Sequence, residues 1–515
     1  MTSTLDRIDG TPGAPTPPPG PEPRRMPTWV VVGAVALAAA VAWVPALTVF
    51  PSSDEGGFLL LASQWHPGTS LYGSYWVDRP PVLILLFQLA DALGGVIGLR
   101  LVGVAGVVLG VLLGAALPSA LAPAGTPLRA RRRAALLSAF TTAALLTSPL
   151  FGAMEVDGEL LAVPAVLAGC LLLLRAQRTT GPRRARLVLL AGLVGSAAWL
   201  TKQDVADVFV LGAALAVAGR LHHGRSLRQA LGDLACLTAG LVAGVGGALV
   251  VAAQHGTSPA ALWSAVVTFR FRASEVIAWS SSGATPQRFW MLLAAFVLSG
   301  APLVIWYAAR SLRGTVVRPL GPGGPTWPLL TLLAWEAVAV GGGGSYWLHY
   351  IVGLVPGITL LVAAAATRPA LGRRLQDGLA WAVTAAVAST LVAVPVAVSQ
   401  MPAIRGDDAA VSTYLRVHAA PGDTGVVAYG HPDILEQAGL SSPYPDLWSL
   451  PVRVRDPHLA RFRRVLTTDR PRWLVAAHGD LASWGLDSSR AQRVVDRDYR
   501  TVFTSGDWSV LERTR

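Results

Sequence analysis

From Thr28 to Val398 the sequence is a succession of apolar runs separated by short loops rich in arginine. A helix needs about 20 apolar residues to cross a hydrocarbon core about 30 Å thick, and several of these runs approach or reach that length. With 52% hydrophobic and only 14% charged residues, the chain is excluded from the class of ordinary soluble domains. The net charge of +12 would suggest a nucleic-acid partner in a soluble protein. Here the positive residues sit between apolar runs, where the positive-inside rule accounts for them.

That rule sets a topology. Arg24 and Arg25 precede a first span over Thr28–Val49, so the N-terminus is expected in the cytoplasm, with residues 1–27, rich in Pro and Gly, as a disordered tail. The loop holding Asp54 and Glu55 then lies outside. Pro80–Leu93 is apolar but too short to cross. Were it a span, the cluster Arg129, Arg131, Arg132 and Arg133 would fall outside; lying along the outer interface, it leaves that cluster inside. The remaining runs, including a single span over Phe289–Ala309 after an outer loop over Gln254–Gln287 and a last span over Leu379–Val398, then place nearly every arginine cluster inside. The expected fold is an all-α polytopic membrane protein of about eleven transmembrane helices with one outer interfacial helix. Residues 28–400 form the membrane domain. Cys170 and Cys236 lie within apolar runs and read as packing residues.

Near Met401 the composition changes to that of a small soluble domain, expected outside the membrane over 401–515. Gly425–Tyr429 and Trp473–Ala477 read as buried strands, and Ser505-Gly506-Asp507 as a hairpin turn between Tyr499–Thr504 and Trp508–Glu512. Asp408–His418 and Ser488–Asp496 read as helices, giving an α/β domain. His431 and His478 are single histidines at strand ends and read as structural. The spans contain no visible internal repeat.

The unusual residues gather in the loops this topology puts outside. They are Asp54 and Glu55; Asp78 and Arg79; Glu155, Asp157 and Glu159; Lys202, Gln203 and Asp204; and His349-Tyr350. Lys202 is the one lysine among 42 basic residues. Carboxylates held against a membrane are costly, and the bilayer gives no structural reason to keep them. Converging acidic and basic groups suit a substrate that carries a phosphate and a leaving group. Arg79 can bind a phosphate bidentately and Lys202 as a point charge. A carboxylate can serve as general base toward a hydroxyl.

These motifs resemble the GT-C membrane glycosyltransferases, most closely the protein-mannosyltransferase and aminoarabinose-transferase branch. The likeness is carried by the Asp54-Glu55 pair after the first span and by Asp78-Arg79-Pro80-Pro81 leading into the interfacial helix. Met154–Pro164, Leu200-Thr201-Lys202-Gln203 and His349-Tyr350 followed by Pro356 extend it, over about residues 28–400. Arg79 stands where lysine is common, and the 155–159 loop offers three carboxylates for the family's second acidic site. The resemblance implies transfer of a sugar from a polyprenyl-phosphate donor to an envelope acceptor (glycan, lipid or protein) on the outer membrane face. It implies Asp54 as the base of an inverting single displacement, with Glu55 orienting the acceptor or Asp54. Asp78, Arg79, Glu155, Glu159, Lys202, Gln203, His349 and Tyr350 would bind substrate. Members differ in metal dependence, so no cofactor is fixed and a divalent ion at Asp157 is one option. The arginine- and alanine-rich bias suggests a GC-rich bacterial genome and hence the plasma membrane.

The rival reading is a transporter or flippase of a lipid-linked substrate. Transporters place polar residues at the midplane of broken helices, in paired repeats; here the polar residues collect at one face. A third reading is an envelope scaffold whose tail binds a glycan or a partner protein.

Overall fold

The computed structural model describes residues 26–66, 71–280, 284–313, 326–368 and 373–514. The expected tail up to residue 25 lies outside them, as do Arg24, Arg25 and Arg318. The membrane part opens with α1 (Thr28–Ala42), a short α2 (Ser53–Ala62), α3 (Pro81–Ala92) and α4 (Val96–Leu121). There follow α5 (Leu128–Thr147), α6 (Gly158–Ala176), α7 (Gly181–Thr201), α8 (Asp207–His222) and α9 (Leu227–Gln254). After the short α10 (Pro259–Trp263) come α11 (Phe269–Ser280), α12 (Ala284–Leu298), α13 (Ala301–Leu312), α14 (Trp327–Gly342) and α15 (Val355–Ala366). The last membrane helix, α16 (Arg373–His418), runs 46 residues.

Among the described residues, seven helices are long and apolar enough to cross a membrane, or eight if α12 and α13 form one bent span. Helix α5 begins with an arginine cluster, and α8 and α14 are shorter. The helices pack through small residues. Gly192 and Gly240 let α7 and α9 meet backbone to backbone, the close approach that dispersion rewards where no water drives association.

Three expectations are corrected. The span over Phe289–Ala309 is two helices bent by 61°, because Gly300 takes a left-handed φ of 77° after Ser299. The segment 254–287, expected as an outer loop, is largely helical, holding α10 and α11. The soluble domain does not begin with a helix of its own: α16 passes through Pro395 and Pro402 unbroken and supplies residues 408–418 as its continuation.

Beyond α16, strands β1 (Gly425–Ala428), β2 (Trp473–Ala477), β3 (Tyr499–Ser505) and β4 (Trp508–Arg513) form one sheet ordered β1-β2-β4-β3. β1 and β2 are parallel, and the other pairs antiparallel. A parallel pair needs a crossover. It is made by α17 (Pro432–Ala438), α18 (Ser449–Arg455) and α19 (Ala460–Thr468), and α20 (Ser489–Asp498) leads into β3. One face of the sheet buries Val427, Trp473, Val475 and Val510 against Val411 and Leu415 of α16 and Ile434 of α17. The other buries Leu474 and Leu511 against Phe462 and Val494.

This domain is docked on the membrane part at α2 and the 71–80 loop. Ser53 Oγ donates to the Gly430 carbonyl at 3.1 Å, the Ser442 N–H to Tyr75 Oη at 2.9 Å, and the Trp76 N–H to the Pro445 carbonyl at 2.8 Å.

Candidate active site

Helix α2 starts with a capping box. Ser52 Oγ accepts from the Glu55 N–H, and Glu55 Oε2 accepts from the Ser52 N–H at 2.9 Å. The same carboxylate makes a bidentate pair with Arg100 of α4 and accepts from the Val156 N–H at 2.7 Å. Glu55 and Arg100 are each 1% exposed. Every lone pair of Glu55 is therefore engaged in holding α2, α4 and the 154–157 loop together, and the carboxylate does not reach the cleft.

Asp54, one residue earlier and about 100° around the helix, points the other way. It is partly exposed, and its Oδ1 accepts from Trp448 Nε1 at 2.8 Å. Among the described residues its Oδ2 takes no hydrogen bond. Gly56 and Gly57 explain the rest of the motif: a Cβ on Gly56 would overlap the Asp433 backbone, and one on Gly57 would lie 2.6 Å from Pro432. The two glycines let α17 and Trp448 close over the helix turn that carries Asp54.

Opposite stands a cationic group. Arg79 Nη1 reaches Asp78 Oδ1 at 2.8 Å, and Arg270 of α11 reaches Asp78 Oδ2 at 2.9 Å. Although burial opposes both effects, Arg270 and Arg79 hold the Asp78 carboxyl below its usual range, and Asp78 with Asp54 keeps Arg79 charged. Gln203 Nε2 donates to the Asp78 carbonyl at 3.2 Å, tying the end of α7 to the same loop. Lys202 caps α7, pairs with Glu159 of α6 and lies 4.2 Å above the Tyr350 ring. Burial draws its ammonium down to about 8, with Asp204 opposing.

The acidic wall is the 155–159 turn. Glu155 pairs with Arg405 of α16 at 2.6 Å, and burial followed by the charge of Glu55 pushes its carboxyl up to about 7. Asp157 caps α6, its Oδ1 accepting from the Leu160 N–H at 2.9 Å; burial pushes its carboxyl up to about 8. Its Oδ2 is buried without a hydrogen-bond partner among the described residues. His349 stands 3.8 Å from that oxygen through Nδ1 and 4.0 Å from Glu159 Oε1 through Nε2. Gly152, at a φ of 70°, admits this histidine, since a Cβ there would lie 2.6 Å from the His349 Cα. Donor atoms of Asp157, Glu159 and His349 lie within 4.8 Å of one another. Two carboxylates and an imidazole, with one buried oxygen unsatisfied, fit a divalent cation. A small cavity of about 30 Å³, room for about one water, lies beside Glu159, lined also by Asp204, Asp207, Glu336 and Tyr350 and by an apolar wall that includes Val163 and Pro356.

The fold matches a known architecture. ArnT from Cupriavidus metallidurans bound to undecaprenyl phosphate superposes with a TM-score of 0.64 over 94% of this chain and 97% of that one, at 14% identity. The same protein in its apo state gives a TM-score of 0.58 with the same coverage. The fold is GT-C. At this identity the likeness is one of fold. No protein-family model and no curated protein matches the chain.

Asp54, Arg79, Glu155, Asp157 and Tyr350 lie near enough for their charges to interact, and Glu159 and Tyr350 line the cavity. Asp78, Lys202, Gln203 and His349 contact members of this group, whereas Glu55 lies behind it and His431 and His478 belong to the C-terminal domain. Three contributors were missed. Arg100 had a signal, as a lone charge inside an apolar run. Arg270 had another, since it lies in a loop that the charge rule puts outside. Trp448 had none, because only the docked domain brings it to Asp54.

Proposed function

We propose that the protein is a membrane glycosyltransferase that moves a sugar from a polyprenyl-phosphate-linked donor to a hydroxyl acceptor on the outer face of a bacterial plasma membrane. The observation that carries this reading is the free Oδ2 of Asp54, on a carboxylate close enough to Arg79, Glu155, Asp157 and Tyr350 for its charge to act on them. The bound undecaprenyl phosphate of the ArnT structure supports a lipid phosphate as the donor class.

Asp54 Oδ2 takes the proton of the acceptor hydroxyl as its oxygen attacks the anomeric carbon. The bond from that carbon to the phosphate oxygen breaks, and the electron pair leaves on polyprenyl phosphate. One displacement inverts the anomeric centre. Trp448 fixes the base through Oδ1, so that Oδ2 is the basic atom. Arg79 and Arg270, held in the plane of Asp78, and Lys202 neutralise charge on the departing phosphate, the kind of stabilisation that usually contributes most. Glu55 is a positioning residue. A divalent cation held by Asp157, Glu159 and His349 would supply further positive charge at the acidic wall.

The test uses full-length protein in sealed lipid vesicles with labelled polyprenyl-phosphate sugars and membrane-derived acceptors. The expected result is labelled product with stoichiometric free polyprenyl phosphate. Movement of intact donor across vesicles without release of lipid phosphate would overturn the reading in favour of a transporter.

A further inference from the structure

The soluble domain meets α2 through a second cluster of ligand-type side chains that the reaction does not use. Asp408 comes from α16, and His431 and Asp433 flank Pro432 where β1 turns into α17. Sequence alone reads His431 as a structural residue at a strand end. In the structure, donor atoms of all three residues lie within 4.8 Å of one another. His431 Nδ1 is 3.2 Å from Asp408 Oδ2 and 4.0 Å from Asp433 Oδ1. Around a tetrahedral ion with bonds of about 2.0–2.2 Å, neighbouring donors are about 3.3–3.6 Å apart. The observed separations bracket that spacing.

The decisive feature is Asp433. Its side chain is 0% exposed, and both carboxylate oxygens lack a hydrogen-bond partner among the described residues. A carboxylate so buried needs a cation or a donor. Arg405, the arginine whose charge reaches Asp433, is paired with Glu155 at 2.6 Å. The surroundings are arranged as a ligand shell is. Trp508 Nε1 donates to Asp408 Oδ1 at 2.6 Å, leaving Oδ2 turned toward His431, and the Trp508 ring packs edge-on against the imidazole at 4.8 Å. The His431 side chain is 36% exposed and offers a path in from solvent.

We propose that Asp408, His431 and Asp433 bind one divalent transition-metal ion of the zinc class, with water in the fourth position. An imidazole nitrogen in the set disfavours calcium and magnesium, which take oxygen ligands. The ion ties the outer end of α16 to the start of α17, whose backbone at Asp433 rests on Gly56, two residues from Asp54. Its role is structural: it clamps the soluble domain over the helix that carries the base. The inference does not depend on the reaction assigned to the cleft.

Full-length protein in nanodiscs is equilibrated with micromolar zinc, passed into metal-free buffer and assayed for bound metal, with thermal unfolding recorded before and after chelation. Wild type should retain one zinc equivalent more than Asp433→Asn or Asp408→Asn. An Asp157→Asn variant, altered only at the other cluster, should keep that equivalent. Chelation should lower the unfolding midpoint of wild type and leave that of Asp433→Asn unchanged. X-ray absorption on zinc-loaded Asp157→Asn, which needs no change at this cluster, should report one imidazole nitrogen among oxygen ligands. Equal zinc content in wild type, Asp433→Asn and Asp408→Asn, or an absorption spectrum without imidazole, would overturn the proposal.

Discussion

Glu55 and Arg100 face each other as a bidentate pair at the junction of α2 and α4, each 1% exposed. Arg100 Nη1 also donates to the Met154 carbonyl at 2.9 Å, so one guanidinium fixes both the helix that carries Asp54 and the acidic turn. Removing one partner of a buried pair leaves an uncompensated charge and costs about 3–5 kcal/mol. Arg100→Ala is therefore expected to lower the unfolding midpoint sharply. Arg100→Lys should recover little of it, because an ammonium cannot make both bonds. Thermal unfolding in nanodiscs reads this; an unchanged midpoint for Arg100→Ala would contradict it.

Arg270 is expected to act on the donor. Its guanidinium stands beside Arg79 on Asp78 and makes no pair with a carboxylate of the acidic turn. A charged hydrogen bond contributes about 1.5–3 kcal/mol, so Arg270→Ala should reduce kcat/KM for the donor by about 10- to 150-fold while the unfolding midpoint stays put. Steady-state kinetics over donor concentration decide it. A loss of stability without a change in kcat/KM would make Arg270 a structural residue.

Trp448→Phe tests the soluble domain's part in catalysis. The variant keeps the aromatic packing on Phe58, now 5.1 Å between centroids, but deletes the hydrogen bond to Asp54 Oδ1. A net hydrogen bond is worth about 1 kcal/mol, so kcat should fall roughly fivefold with the fold intact. Wild-type kcat would mean that Asp54 is held some other way.

Chelation addresses the cation at Asp157, Glu159 and His349. Dialysis against EDTA is expected to lower turnover, and added zinc or manganese to restore it. Asp157→Asn should start low and respond to neither. Full activity of metal-stripped wild type would leave Lys202, already paired with Glu159, as the positive charge at that wall.

What the sequence made legible follows from what leaves a local trace. Arginine clusters and run lengths reported a polytopic helical chain. They also separated α3 from the spans, since 12 residues at Pro81–Ala92 cannot reach across. Acidic residues at helix starts were visible because they are costly unless used. The bend at Gly300 was hidden, because one glycine among apolar residues looks the same in a straight helix as in a broken one. The division of labour between Asp54 and Glu55 was hidden too. It depends on Arg100, 45 residues away, and on Trp448, 394 residues away. Local pattern carries no record of such partners.

The central claim is that Asp54 is the base and Glu55 its scaffold. Single-turnover transfer from a labelled polyprenyl-phosphate sugar, measured on wild type, Asp54→Asn and Glu55→Gln with unfolding midpoints alongside, tests it most directly. General-base catalysis contributes about 10²- to 10⁴-fold. Asp54→Asn should therefore lose transfer by that order at an unchanged midpoint, whereas Glu55→Gln should lose midpoint first and keep measurable transfer in its folded fraction. Transfer by folded Asp54→Asn at the wild-type rate would contradict the account.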